Sequence, residues 1–94
     1  MPVGLLTVHL YLPGCTSLKE KRSRLKPILS RLHREFNVAT AEMYRQDQWQ
    51  ESEIACATVS NDALFTQQML AKIVVYIENN WPDETILDHK LEVI

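Results

Sequence analysis

The chain has 94 residues, 46% hydrophobic residues and a formal net charge of −2, which is ordinary for one globular domain and argues against a general polyanion binder. No apolar run approaches the roughly 18 residues of a membrane-spanning helix, and the opening residues do not resemble a secretory signal. Cys15 and Cys56 form neither a disulfide framework nor a metal-ligand spacing. We therefore expect a single cytoplasmic domain, residues 1–94, with reduced thiols.

Alternating apolar residues, helical periodicity and turn residues such as Pro13-Gly14 predict six elements. The predicted strands are Val3–Leu12, Asn37–Tyr44, Glu53–Val59 and Thr85–Val93, and the predicted helices are Ser17–Phe36 and one capped by Ser60-Asn61-Asp62 that runs to about Asn79. This βαββαβ order predicts an α+β protein with the ferredoxin-like split β-α-β fold. Its four-stranded antiparallel sheet has the order 4-1-3-2, with both helices on one face.

The first helix concentrates the positive charge. The segment Ser17–Phe36 holds seven of the ten Lys and Arg but only two of the twelve Asp and Glu. Ser17 and Glu20 have the spacing of a capping box. Apolar residues on one side predict a core-facing stripe made of Leu18, Leu25, Ile28, Leu29, Leu32 and Phe36. Lys21 and Arg22 lie in or beside that stripe, and we expect their charged groups to extend past the core.

Pro27 leaves two interpretations open. Proline removes one i→i−4 hydrogen bond, so a single helix would be kinked between Ser23 and Pro27. Alternatively, the helix begins at Pro27 and the preceding basic residues form a separate turn. We favour the single helix, because Pro27 projects away from the apolar stripe and water can reach the unpaired carbonyl there.

The predicted topology places the start of this helix beside the connection between the second and third strands. We expect Lys21 or Arg22 to lie within ion-pair distance of Asp47 or Glu51. One interpretation is an anion or phosphate site beside an aromatic platform, formed by Lys19, Lys21, Arg22, Arg24, Lys26, Gln46 and Trp49. The other, which we favour for this end of the fold, is that Trp49 covers the core while carboxylates neutralise the cations, namely Glu20, Asp47 and Glu51.

The titratable residues show no catalytic or metal-binding pattern. His9, His33 and His89 belong to different elements, and neither cysteine has a histidine at a usable spacing. We therefore expect a protein that is not an enzyme and that uses no metal and no cofactor.

The open face of the predicted sheet is less polar than contact with water favours. The final strand has a polar face made of Asp88, Lys90 and Glu92, but the first and third strands have none. The expected outward interface is Thr7, His9, Tyr11, Ile54, Cys56 and Thr58, flanked by Leu5, Val38, Thr40 and Tyr44. Such a patch predicts a homodimer in which two sheet faces pair, and the alternative is a mildly apolar monomer surface.

Several motifs resemble the YlxP-like family of bacterial proteins of unknown function. They span almost the whole chain: SLKEKR at Ser17–Arg22, FNV at Phe36–Val38, AE at Ala41–Glu42, QDxWQ at Gln46–Gln50 and SND at Ser60–Asp62. Pro27 departs from the family pattern. The resemblance implies a ferredoxin-like protein of the bacterial cytosol. Genes of the family often lie beside those for translation initiation and ribosome maturation factors, which implies association with RNA or the ribosome.

Two functions from different classes are compatible with these observations. The first is an RNA- or ribosome-associated binding protein whose basic helix contacts phosphates. Base stacking on the sheet, as in RNA-recognition motifs, is disfavoured because the third strand offers no aromatic residue. The second is a homo-oligomeric interaction module that uses the open sheet face and has no nucleic-acid role. Neither requires a membrane.

Overall fold

A computed structural model describes residues 2–94; Met1, which belongs to the opening segment and to the expected domain, lies outside the described residues. The elements are β1 Val3–Tyr11, α1 Leu18–Phe36, β2 Ala39–Tyr44, β3 Glu51–Val59, α2 Ala63–Asn80 and β4 Thr85–Val93. Within residues 2–94 the strands form an antiparallel sheet in the order β2-β3-β1-β4. This is the predicted order viewed from the other edge, so the βαββαβ ferredoxin-like prediction is confirmed.

The core lies between the helices and one face of the sheet. Alternate residues of β1 (Leu6, Val8 and Leu10) are fully buried, while the residues between them are partly exposed. The helices contribute Leu25, Ile28, Leu32, Leu70, Ile73 and Ile77. Full burial of such a side chain is worth roughly 1.5–3 kcal/mol, so this layer is the main source of stability. Neither α1 nor α2 combines the length and the apolar character that crossing a bilayer requires.

The first helix is continuous through Pro27, which confirms the interpretation of a single helix. Ser17 is the N-cap, and its Oγ accepts a hydrogen bond of 3.0 Å from the Glu20 N–H. The other half of the predicted capping box is shifted by one residue. The Glu20 carboxylate accepts from the Thr16 N–H at 2.7 Å, and this hydrogen bond lowers the pKa of Glu20. Asn37, in the left-handed conformation with φ 52°, ends the helix.

The side chains of the third strand lie on the opposite sides of the sheet from those predicted. The β1–β3 register aligns Leu6 with Cys56 and Val8 with Ile54, and residues directly opposite in a pair share a face. Because Leu6 and Val8 face the helices, Ile54 and Cys56 do so too and are fully buried. Thr58 follows the same alternation. The prediction that Ile54, Cys56 and Thr58 form an outward interface is therefore wrong.

The residues of β2 alternate regularly up to Glu42, and a register shift after Glu42 turns Tyr44 to the outer face. Glu42 pairs with the buried side of β3, whereas Tyr44 pairs with its outer side because Met43 is an extra residue between them. Thr40 also faces the helices, where its hydroxyl donates to a carbonyl of α1. Val38 is 1% exposed. Val38 and Thr40 were thus wrongly expected on the outer face, whereas Tyr44 lies there as predicted.

A second shift, between β1 and β4, leaves Leu87 unpaired and about half exposed. Ile86 packs against the core in its place. Beyond the shift, the residues of β4 that pair with the outer side of β1 are Asp88, Lys90 and Glu92. The predicted polar face of this strand is confirmed.

Gly4 is required where α2 crosses β1. A Cβ at this position would overlap Thr66 Cγ2 and lie 2.7 Å from Leu70 Cδ1, and both side chains are buried. We expect Gly4→Ala to lower the free energy of unfolding by about 1–3 kcal/mol, because a well-packed site must rearrange to admit the methyl group. Urea denaturation measures this change. In a Gly4→Ala/Thr66→Ser variant, removal of the overlapping methyl should restore part of the loss, and a neutral Gly4→Ala would contradict the account.

Candidate nucleic-acid interface

The start of α1 and the β2–β3 connection lie together at one end of the sheet, as predicted. The ammonium of Lys21 donates to the backbone carbonyl of Arg45 at 2.6 Å. The Leu12 N–H donates to the Gln50 carbonyl at 2.7 Å, which joins the end of β1 to the same connection. These contacts set the geometry of the candidate site.

Lys21 does not extend to solvent, in contrast to the expectation. Its side chain is 1% exposed, and Nζ lies 2.7 Å from Glu42 Oε2. The same carboxylate oxygen accepts a hydrogen bond of 2.7 Å from the Ser52 hydroxyl. The expected ion pair of Lys21 or Arg22 with Asp47 or Glu51 is therefore wrong. Glu42, which pairs with the buried Ile54, faces α1 and takes up Lys21, and within residues 2–94 Arg22 forms no salt bridge. In this conformation a phosphate in solvent cannot reach the Lys21 ammonium.

Arg24 also belongs to the framework of the fold. Its guanidinium forms an ion pair with Glu84, and Nη1 donates to the Pro13 carbonyl at 2.8 Å. Burial alone would lower the pKa of Arg24, but the hydrogen bond and the charge of Glu84 outweigh burial and raise it. Arg24 thus ties α1 to the loops before it and before β4, and its charge is already compensated.

Arg31 packs against aromatic rings at the α1–α2 contact. Its guanidinium carbon lies 5.5 Å from the ring centroid of Tyr76 and 5.7 Å from that of Trp81, which is cation–π range. Phe36 meets Tyr76 edge-on at 5.1 Å. Arg31 therefore helps to hold the two helices together.

Four cations remain on the solvent side of α1, and we call them the basic face: Lys19, Arg22, Lys26 and Arg34. At 100° per residue they fall within a stripe about 120° wide, and all four are exposed. Within residues 2–94 none of them forms a salt bridge. The exposed hydroxyl residues Ser23 and Ser30 lie in the same stripe, whereas the helix's two carboxylates project outside it.

The basic face overlaps the predicted site only in part. It retains Lys19, Arg22 and Lys26, whereas Lys21 and Arg24 serve the fold. Arg34 was missed because the predicted site was confined to the N-terminal half of the helix. The 100° periodicity counted onward from Lys19 could have found it.

Gln46 and Trp49 lie on the exposed β2–β3 connection. The Gln46 side-chain amide donates to the Met43 carbonyl at 3.0 Å. Trp49 is 52% exposed and so does not cover the end of the core as one interpretation expected. It lines a shallow depression with Asp47 and Glu51. Within residues 2–94 no hydrogen bond or ion pair joins Gln46 or Trp49 to the basic face.

The remaining titratable groups lie elsewhere. His9 Nε2 is 2.7 Å from Glu51 Oε1 on the open sheet face, and His33 Nδ1 is 2.8 Å from the Val38 carbonyl at the end of α1. Burial raises the pKa of the Cys56 thiol to about 12. In the described part of the chain, no group of three His, Cys, Asp or Glu is arranged to hold a metal ion.

Comparison with known proteins agrees with the resemblance seen in the motifs. A family model described as "Protein of unknown function (DUF503)" matches residues 3–90, from the start of β1 into β4. The chain is also 40% identical over 77 residues to the uncharacterized protein YlxP of Bacillus subtilis (strain 168). That match covers 82% of this chain and 84% of the relative. Neither description assigns an activity.

The buried ion pair of Lys21 can be separated experimentally from the basic face. Lys21→Met removes the cation paired with the partly buried Glu42 carboxylate, which keeps a hydrogen bond from the Ser52 hydroxyl but loses its compensating charge. We therefore expect the free energy of unfolding to fall by about 2–4 kcal/mol. The matched variant Lys26→Met removes an exposed charge and should change it by less than about 0.5 kcal/mol. Chemical denaturation measures both changes. Equal losses of stability in the two variants would show that Lys21 contributes no more to stability than an exposed lysine does.

Proposed function

The chain belongs to the DUF503 family, whose function is unknown, and we propose that it is a non-catalytic RNA-binding protein that contacts phosphates through the basic face of α1. The observation that carries this proposal is that Lys19, Arg22, Lys26 and Arg34 are exposed together and form no salt bridge within residues 2–94. A polyanion supplies the missing negative charge.

Stability of the fold does not account for these cations. Arg22 and Lys26 are four residues apart on the helix, a spacing at which like charges destabilise by about 0.2–0.5 kcal/mol. Lys19 lies in the first turn, where the helix dipole already contributes positive charge. Glu20 and Glu35, the two carboxylates of the helix, project outside the stripe. Glu42, which lines a groove with Arg22 and Lys26, is already paired with Lys21. An anion bound along the face would relieve both the mutual repulsion and the repulsion from the dipole.

The dimensions of the face suit a short stretch of nucleic-acid backbone. From Lys19 to Arg34 the helix rises about 22 Å, and the cations are spaced by roughly one or two helical turns. Ser23 and Ser30 add hydroxyl donors between them, a group that commonly contacts phosphate oxygens. With four cations the footprint is small, so binding should be modest in affinity and sensitive to salt.

The open sheet face is a poor alternative surface for RNA. RNA-recognition motifs of similar topology stack bases on aromatic residues of the sheet. Here the outward residues of β3 include Glu51 and Glu53, which repel phosphates. Genes of the resembled family often lie beside those for translation initiation and ribosome maturation factors. This neighbourhood favours RNA, and the ribosome in particular, over DNA as the partner.

Charge reversal at matched positions tests the proposal. Arg22→Glu/Lys26→Glu should weaken binding of a labelled single-stranded RNA of about 20 nucleotides at least about tenfold, because two phosphate contacts become repulsive. The control Lys72→Glu/Lys90→Glu changes the net charge equally at exposed positions off the basic face, and it should change affinity by less than about threefold. Fluorescence anisotropy measures both, and circular dichroism verifies the fold. Equal losses would mean that only the net charge matters, which contradicts the proposal.

The salt dependence of binding supplies a second test. For three or four neutralised phosphates of a single strand, the slope of log K against log salt should be about −2 to −3. Arg34→Gln should make the slope shallower by about 0.7, since one contact is lost. Likewise, the protein should sediment with ribosomes at low salt and leave them at high salt. Binding that is insensitive to salt would contradict a phosphate-based mode.

A further inference from the structure

The sheet face that the helices leave open has an apolar half, formed by β1, β2 and β3, and a charged half. Beside the apolar half, the outward residues of β4 are Lys90 and Glu92. The β1–β3 register places Val3 beside Val59, then Leu5 beside Ala57, then Thr7 beside Ala55. On the edge strand, the small residues Ala39 and Ala41 continue these last two rows. The next rows, towards the β2–β3 connection, carry charge: His9, Arg45, Glu51, Glu53 and Asp88.

The apolar half is accessible and lacks bulk. Val3 is 37% and Val59 is 60% exposed, and the alanines between the two edges are exposed or half-buried. Four small side chains on neighbouring strands allow another flat surface to approach closely. An apolar surface of this kind on a sheet is typical of a docking site.

We propose that this face binds a second copy of the chain, in a dimer whose two-fold axis runs parallel to the strands, between β1 and β3. Rotation about that axis preserves the position along the strands and exchanges the strands, so that β3 of one copy faces β1 of its partner. Val59 then faces Val3, Ala57 faces Leu5 and Glu53 faces His9. Between β1 and β3, apolar residues meet apolar residues, and a carboxylate meets an imidazole. At the edges of the interface, Ala39 and Ala41 of one copy face Glu92 and Lys90 of the other, whose charges lie 3.3 Å apart and compensate each other.

The distribution of charge selects this axis over the other possible one. An axis perpendicular to the strands and through the middle of the sheet would reverse the rows, so that Val59 would face Glu51 and Val3 would face Tyr11. That arrangement buries a carboxylate against a valine without a compensating partner, which is costly. RNA is a poor occupant for the same face, since its charged half is rich in carboxylates.

The available area predicts a weak and reversible dimer. Four strands spaced about 4.8 Å apart and up to nine residues long give roughly 500 Å² per copy, or about 1,000 Å² in total. This is at the low end of specific interfaces, where transient complexes are found. The helices lie on the outer sides of such a dimer, so its two basic faces point in opposite directions. The dimer does not depend on RNA binding.

Sedimentation equilibrium over about 5 to 500 µM tests the association. We expect the mean mass to rise from monomer to dimer, and Ala57→Arg to weaken the dimer at least about tenfold because it places a charge in the apolar half. The matched control Ala71→Arg lies on the exposed side of α2 and should leave the association unchanged. A monomer at every concentration, or a dimer that Ala57→Arg does not affect, would overturn the proposal.

Complementary charges test the axis. Ala57→Glu and Leu5→Lys should each weaken self-association. An equimolar mixture should form a heterodimer at least about threefold tighter than either variant alone, because the introduced carboxylate of one copy would face the introduced ammonium of the other. A mixture that associates no more tightly than either variant alone would overturn the proposed arrangement.

Should a variant fail to fold, amide spectra of the native chain on dilution test the interface instead. Shifts are expected at Thr7, Ala55 and Ala57, and shifts confined to the helices would contradict the interface.

Discussion

The buried ammonium of Lys21 determines which side of α1 faces solvent. It contacts Glu42 of β2 and the Arg45 carbonyl of the following connection, and Ser52 of β3 completes the cluster through the same carboxylate oxygen. Buried ion pairs often add little net stability, but removal of one partner is strongly unfavourable. A helix rotated by one residue would lose all of these contacts together with its apolar stripe. The orientation that buries Lys21 is the one that leaves Lys19, Arg22 and Lys26 in water.

The seven cations of α1 therefore divide into two groups. Lys21, Arg24 and Arg31 hold the helix to β2, to the neighbouring loops and to α2, through carboxylates, carbonyls and aromatic rings. The other four form the basic face, with no ionic partner in the part of the chain that the structure describes. The charge of the segment alone does not distinguish these groups, since burial and partners are set by the tertiary fold. This division leaves a compact candidate surface in a chain that is acidic overall.

The element order and the strand order could be predicted because they follow from local signals: alternation, helical periodicity, the Ser17 cap and the Pro13-Gly14 turn. Which side chains of β3 point to the core could not be predicted. Both sets of alternating residues in this strand are mildly apolar, and a shift of one residue in the pairing register exchanges them. Only pairing with Leu6 and Val8 reveals that Ile54 and Cys56 are inside. The partner of Lys21 could not be predicted for the same reason, because Glu42 faces the helices through its pairing with Ile54. Arg34, by contrast, was within reach of the helical periodicity.

The basic face belongs to the helix layer and the open face belongs to the sheet layer, so the two surfaces lie on opposite sides of the molecule. One measurement can therefore distinguish them as sites for RNA. Titration of the isotopically labelled protein with a short single-stranded RNA at low salt, followed by amide chemical shifts, tests the central claim most directly. The account predicts that the shifts concentrate at Lys19, Arg22, Lys26, Arg34 and the serines between them, and that added salt reverses them. Shifts concentrated on the outward residues of β1 and β3, or no shifts at RNA concentrations that saturate a basic RNA-binding protein, would contradict it.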